Sequence, residues 1–427
     1  MDKKQLAMAG GLGLFLFAAA WPTGGWATDS RYREYVIGDR SGGMGGAAIA
    51  IARDVDAVYA NPAGLAASQG DSISLSASLY GWENNKIRNG LSYGDDASGS
   101  SFVSIPSAVG GVMRLGDEWT GGFGVFTPKQ DQDHIVESRA GGNRFYHYSS
   151  SDQTMWIGPA IAWKPRDSAF SLGAGVFAVY RSLSMSMSQF VQHDDVVNLA
   201  CDFKTLSALA TFGAQYDFGG GWHAGLTVQT PTVTFHEEGK ISLNGMDAES
   251  GIGMGIYSED VDADNYVPLQ IGLGIGKDFG DNCTVALDAL WHPSADIELM
   301  EWHTSLADFS PDLHLHSVLD VSLGGEIVVA DKYPVRLGVY TAFSGIDLPS
   351  DSVRLEERAS MLDTSDVDMY GVTFSVGRRV ENITVNLGID YAFGHGHELG
   401  YDSENNYART SCDRNVILCS LSTAYHF

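Results

Sequence analysis

Alternation with a period of two governs most of this chain. From Ile383 to Phe393 every second residue is Ile, Val, Leu, Ile, Tyr or Phe, while Thr384, Asn386, Gly388, Asp390 and Ala392 hold the positions between. Such a pattern makes a β-strand with two unlike faces. A soluble sheet turns the apolar face to a core, and a membrane barrel turns it to lipid. One strand does not separate the two structures; the connections do. Comparable segments recur near 71–82, 101–116, 118–127, 152–165, 168–187, 203–218, 221–236, 265–279, 282–297, 313–330, 333–346, 366–380, 382–395 and 412–427, fourteen in all. Short turns centre on Gly116-Asp117, Pro165-Arg166-Asp167, Gly219-Gly220, Gly280-Asp281, Ala330-Asp331-Lys332 and Glu381. They alternate with long loops at 83–100, 128–151, 188–202, 237–264, 298–312, 347–365 and 396–411. Six tight turns and seven long loops are what a 14-stranded antiparallel transmembrane β-barrel needs when both chain ends face the periplasm. A soluble sandwich has no reason to sort its loops by length in this way.

Aromatic residues near the strand ends, Trp119, Trp156, Trp163, Trp222, Trp291, Tyr391, Phe393 and Tyr425, fit an interfacial girdle. The last strand turns Leu421, Thr423, Tyr425 and Phe427 to one face. A terminal aromatic there is similar to the signal by which bacterial outer-membrane barrels engage their assembly machinery.

The start of the chain reads as an export signal. Lys3 and Lys4 precede an apolar stretch from Leu6 to Trp21, and Gly25-Trp26-Ala27 puts small residues at the −3 and −1 positions of a cleavage site. Residues 1–27 are therefore a signal peptide cleaved near Ala27; an uncleaved anchor would want a longer apolar core. Beyond it no run approaches the ~18 apolar residues of a spanning helix. The formal charge is −27, and about −28 once residues 1–27 are gone. So acidic a chain with no later basic run does not bind nucleic acid. Its 51 glycines in 427 residues exceed the usual ~7%.

Residues 28–70 do not join the strand series. Gly43, Gly45 and Gly46 surround Met44, the small-residue stretch from Ala47 to Ala57 predicts a short helix, and Asn61-Pro62-Ala63 follows. Small residues pack closely inside something narrow, so this segment reads as a plug within the barrel formed by 71–427. Gly-Met-Gly-Gly-Ala at 43–47, Ala52-Arg53-Asp54 and Val58-Tyr59-Ala60-Asn61-Pro62-Ala63-Gly64-Leu65 resemble the N-terminal hatch of FadL/TodX-type outer-membrane transporters. That resemblance implies a fourteen-stranded barrel in the bacterial outer membrane, an N-terminal hatch centred on Asn61, Pro62 and Ala63, and passive uptake of hydrophobic compounds such as long-chain fatty acids or aromatic hydrocarbons. Asn-Pro also initiates ordinary turns. In the third strand, Gly121, Gly122, Gly124 and Pro128 weaken a ladder. In FadL-type proteins a kinked third strand opens the wall sideways; the same glycines also suit a tightly packed wall. The charged stretch Tyr32 to Arg40 departs from the apolar N-terminus of fatty-acid importers. Related barrels with similar hatch motifs serve protein export, so a scaffold that binds a protein partner is the rival function, and a polar pore a third.

Other constellations carry less. No motif joins a Ser, His and acid, so no enzyme activity is expected. His314 and His316, and His395 and His397, are rim pairs with neither a metal framework nor a cofactor motif around them. The acidic run 259–264 is either a solvated loop or a cation bridge to lipopolysaccharide phosphates. Phe145, Tyr146 and Tyr148 are candidates for an extracellular loop that admits substrate, or simply pack within it. The overall acidity disfavours free carboxylates and favours neutral hydrophobic substrates. Among four cysteines, Cys201 and Cys412 both fall near the outer rim and are able to pair.

Overall fold

The alternation closes on itself. A computed structural model describes residues 30–427 apart from 69, 92–93, 139–143, 192–195, 247–252, 260, 264, 299, 304–307, 310–311, 349–364, 403 and 405, so the export signal and part of several loops lie outside the described residues. The wall consists of β1 (Ser72–Leu91), β2 (Asp95–Arg114), β3 (Trp119–Ser138), β4 (Arg144–Trp163), β5 (Phe170–Val191), β6 (Val196–Gly219) and β7 (Trp222–Gln229). It continues through β8 (Gln270–Phe279), β9 (Cys283–His292), β10 (Val318–Val329), β11 (Tyr333–Ala342), β12 (Ser365–Val380), β13 (Ile383–Tyr401) and β14 (Tyr407–His426). Each strand pairs antiparallel with its neighbours, and β14 returns to β1 from Ser72 opposite His426 to Ile87 opposite Cys412. Closure removes the sheet edges that would otherwise have to be satisfied in lipid.

The six short turns stand where the sequence places them, each with a residue at positive φ, among them Gly116, Asp167, Gly219, Gly280, Asp331 and Glu381. The lipid-facing side is as expected too: Ile383, Val385, Leu387, Ile389, Tyr391 and Phe393 are all exposed, and Leu421, Tyr425 and Phe427 with them. Trp119, Trp222 and Trp291 also face outward. Trp156 does not. It shares strand parity with buried Thr154 and Ala160, and points into the lumen.

The extracellular ends differ from the expectation of loops. Strands β1 to β6, β13 and β14 run on through much of 83–100, 128–151, 188–202 and 396–411 as paired ladder. Polarity inverts where they leave the membrane. On β5, Phe170, Leu172 and Val176 face lipid, whereas higher up Met185 and Met187 are buried inside. The outer positions there pass to serines 184 and 186. Above the bilayer a wall behaves as a soluble sheet, apolar side inward. Two predicted strands are broken by proline. After Gln229 the chain passes Pro231 and re-forms as Val233–Met246, which pairs with the upper half of β6. After His292 it passes Pro293, and Ala295–Glu298 pairs instead with Asp312–Leu315. Proline removes the ladder donor at both places. Cys201 and Cys412 are both buried and unpaired: Cys201 stands opposite Met185, and Cys412 opposite Ile87.

Inside the lower wall lies the N-terminal segment, with α1 (Arg40–Gly43), α2 (Val55–Ala60) and a 3-10 turn at Pro62–Ala67. The helix expected over Ala47–Ala57 starts only at Val55, because Asp54 sits at φ 61, outside helical space. Asp56 instead caps α1: its carboxylate accepts the backbone N–H groups of Asp39, Arg40 and Ser41, each at 2.9 Å, and the Ser41 hydroxyl.

Candidate functional site

Glycine explains how the hatch fits. Three cross-strand pairs, Gly173–Gly213, Gly225–Gly274 and Gly324–Gly338, face the lumen. A side-chain carbon on Gly173 or Gly213 would overlap Pro62, Ala63 or Asn61; on Gly225 or Gly274, the chain at Ile49–Ala50; on Gly324 or Gly338, Met44 and Gly45. Gly45 in turn packs on Val339 at φ 66, and Gly46 lies against Arg33 and Val36 at φ 81. A carbon on Gly43 would meet the Ser375 side chain. Backbone therefore lies on backbone around the lumen.

Asn61 is fully buried and ties the turn to the wall. Its Nδ2 donates to Ile49 O at 2.7 Å and Ala214 O at 3.2 Å, and its Oδ1 accepts Ala63 N–H at 3.1 Å. Pro62 occupies the first position of the 3-10 turn, where no donor is missed. On the opposite side Arg40 bonds Glu326 at 3.0 Å, Arg336 bonds the same carboxylate at 2.7 Å and Asn386 at 3.0 Å, and Asn386 donates to Asp39 at 2.6 Å. Burial, with Asp56 nearby, holds the Asp39 carboxyl above its ordinary pKa, and burial lowers that of Arg40.

Above the hatch the segment Arg31–Ile37 lines two neighbouring cavities of about 100 and 80 Å³. Both are lined by Tyr32, Glu34, Tyr59, Pro128 and His292. Tyr59 packs against Phe126 and Trp156 with ring centroids at 5.2 and 5.4 Å, and burial pushes its phenol up to about 12. Tyr32 stacks on His292 at 4.2 Å. The larger cavity has an unusual polar lining. Arg31 Nη1, Trp156 Nε1, Asn265 Nδ2 and His292 Nδ1 are buried with no hydrogen-bond partner among the described residues. Three cations surround it: Arg31, bonded to Glu34 at 3.1 Å, and Lys129 and Arg181, which share Asp152 at 3.0 and 2.7 Å. Among the described residues these three cations meet two carboxylates, Glu34 and Asp152, at the cavity.

The wall is irregular beside this cavity. The β2–β3 ladder runs from Arg114 opposite Thr120 to Ala108 opposite Phe126, and no backbone pairing continues above it among the described residues. There β2 pairs with β1 alone and β3 with β4, whose register slips between Phe126 and Lys129 around Pro128. Pro128, of the residues named for a lateral opening, sits at this break. Gly121, Gly122 and Gly124 do not; they lie lower, in continuous ladders on both sides. Gly122 rests on Val58 and Leu65 of the hatch, and Gly121 faces lipid in an open apolar depression of about 840 Å³ with Met113, Phe123 and Ile161.

Phe145, Tyr146 and Tyr148 belong to β4, not to a loop. Tyr146 and Tyr148 are buried in the upper-lumen cluster with Met185, Met187 and Phe203, while Phe145 is exposed.

Compared with known proteins, residues 26–427 match the family model described as outer membrane protein transport protein (OMPP1/FadL/TodX). The chain belongs to the FadL/TodX family. Its fold is shared with a Pseudomonas aeruginosa FadL homologue at 13% identity and TM-score 0.70, covering 92% of this chain and 100% of that one. It is shared also with the P. putida toluene transporter TodX, at 16% identity and TM-score 0.67 over 93% and 99% of the two chains. The CymD monoaromatic hydrocarbon channel is similar at 16% identity and TM-score 0.62, covering 92% and 97%. Among curated proteins none matches the sequence. This FadL/TodX barrel is thus an outer-membrane channel for hydrophobic compounds, from a family of transporters rather than of enzymes. Of the residues that line its cavity, sequence reading missed Arg31, Lys129, Arg181, Asn265 and His292. They come from five separate parts of the chain, and no motif joins them.

Proposed function

We propose that this barrel, freed of its export signal near Ala27, passively carries hydrophobic molecules that bear an oxygen-containing head, long-chain fatty acids ahead of aromatic hydrocarbons. The observation that carries this reading is the set of unpartnered donors on Arg31, Trp156 and Asn265 around the larger cavity. A buried donor without a partner costs about 1–3 kcal/mol, and a ligand oxygen recovers that loss where a hydrocarbon does not. Arg31, Lys129 and Arg181 act on a carboxylate at close range, whereas the distant charges of the acidic chain are screened. The apolar upper lumen, with Tyr146 and Tyr148, supports entrance from the extracellular side, and the break at Pro128 supports sideways exit. Leaving through the wall suits an apolar molecule, which gains nothing from crossing water. Its other expected contacts are lipopolysaccharide and, at Phe427, the assembly machinery.

The test is uptake of labelled palmitate and labelled toluene into liposomes with and without the purified protein. Palmitate uptake should depend on the protein, and Asn265→Leu with Trp156→Phe should weaken it about tenfold or more while sparing toluene. Protein-dependent entrance of toluene but not palmitate would overturn the substrate, and entrance of neither would overturn transport.

A further inference from the structure

The break between β2 and β3 is not an open hole. Continuing the register of the lower ladder places Ser104 opposite Gln130 and Gly99 opposite Ile135. Ile135 lies close to Gly99: a carbon added there would stand 3.2 Å from its Cγ1. The two strands therefore stay side by side as a seam without backbone bonds among the described residues. Among the described residues one side-chain hydrogen bond runs directly from β3 to β2, while on the lumen side Asp131 of β3 also meets Arg414 of β14 at 3.4 Å. Gln130, buried immediately above Pro128, donates from Nε2 to the Ser104 carbonyl on β2 at 3.4 Å. Its Oε1 accepts from Gln153 Nε2 on β4 at 3.1 Å, and its own carbonyl accepts the Tyr35 hydroxyl. Tyr35 belongs to the segment whose Arg31, Tyr32 and Glu34 line the larger cavity. One continuous stretch of chain thus touches both the ligand cavity and the strap across the seam.

We propose that Gln130 is the clasp of this seam: it holds β3 to β2, Tyr35 holds it in place, and its release is the step that lets substrate pass from cavity to membrane. The proposal rests on the sideways exit proposed above. A long side-chain hydrogen bond in place of a backbone ladder is a weak fastening, and a weak fastening suits an opening that must recur. A continuous backbone ladder in its place would have to break several bonds at once and leave their polar groups unsatisfied beside lipid. Gln130 is a positioning residue, since it acts on the route and is absent from the cavity lining.

Two sets of variants test this in the full-length mature protein in liposomes, with a dansyl-labelled long-chain fatty acid as probe. Gln130→Ala and Tyr35→Phe should each raise the maximal uptake rate severalfold while half-saturation and probe binding in detergent stay unchanged. A residue that only supports the fold would lower yield and rate together, and heat-dependent mobility on gels reports folding independently. In the second set Phe102→Cys and Gln132→Cys, opposite each other by the same register, are joined by oxidation or by a short reducible linker. Joining should stop uptake and reduction should restore it. If joining stops uptake but neither single variant raises it, the clasp is wrong and the lateral route stands. If the joined protein transports normally, the lateral route itself fails and the clasp falls with it.

Discussion

Replacing Asn61 by alanine should loosen the hatch without disturbing the wall. The side chain is fully buried and makes three hydrogen bonds: two donated, to Ile49 O and Ala214 O, and one accepted from Ala63 N–H. At about 1 kcal/mol net each, their loss amounts to about 3 kcal/mol. That figure is a lower bound on the cost, since a stranded partner adds to it, although Ile49 O keeps Gln215 Nε2 as a donor at 3.0 Å. Only the Ala63 N–H is left without its acceptor. A change of about 3 kcal/mol is roughly a hundredfold in an opening equilibrium. Hydrogen exchange followed by mass spectrometry on the protein in micelles measures that opening peptide by peptide. Amides of Val55–Ala60 and the following 3-10 turn should exchange roughly a hundredfold faster in Asn61→Ala, and those of β5 and β6 at their original rates. Acceleration below about fivefold, or equal acceleration in hatch and wall, would refute the view that Asn61 fastens one to the other.

Three further outcomes are expected. Gly213→Ala puts a carbon into Asn61 Oδ1, so the hatch should be digested by an added protease while the barrel still shows heat-dependent mobility; a protected hatch would refute the close fit. Asp56→Ala strips the acceptor from three backbone N–H groups at the start of α1 and should weaken the hatch by about 2–4 kcal/mol, read by the same exchange assay. Asp39 has a raised pKa in the folded hatch, chiefly from burial and then from Asp56. Its contribution is therefore complete below the unfolded value and is lost as pH rises through the raised one. Hatch exchange corrected for intrinsic rate should thus speed up over that window in the wild type and stay flatter in Asp39→Asn; identical slopes would remove Asp39 from the account.

What was legible in the sequence was whatever lipid and tight turns dictate locally. Each lipid-facing run keeps one parity, and each short turn carries its own chemistry, so the strand count follows from neighbours along the chain. The upper halves escaped because the apolar parity reverses within a single strand, as between Val176 and Met185 on β5, and a reader following one face sees the pattern end. Trp156 was misplaced although its parity with Thr154 was available to correct it. The cavity was not legible. Arg31 and Asn265 meet only because the barrel closes and the N-terminal segment lies inside it. The glycine excess was visible as a number, but its use depends on which strands stand beside the hatch.

The facing glycine pairs also bear on how the barrel chooses its pairing. A slip of one residue between neighbours exchanges the lipid and lumen faces and is excluded by polarity alone. A slip of two residues preserves the faces, and nothing in the alternation penalises it. It would carry Gly213 out of step with Gly173, or Gly274 out of step with Gly225, and bring a β-carbon to the level where Asn61 and Ile49 approach the wall. The plug then acts as a gauge. A ring closed with the wrong stagger, and hence the wrong strand tilt and bore, cannot admit it, so only the correctly sheared barrel gains the bonds that seat it.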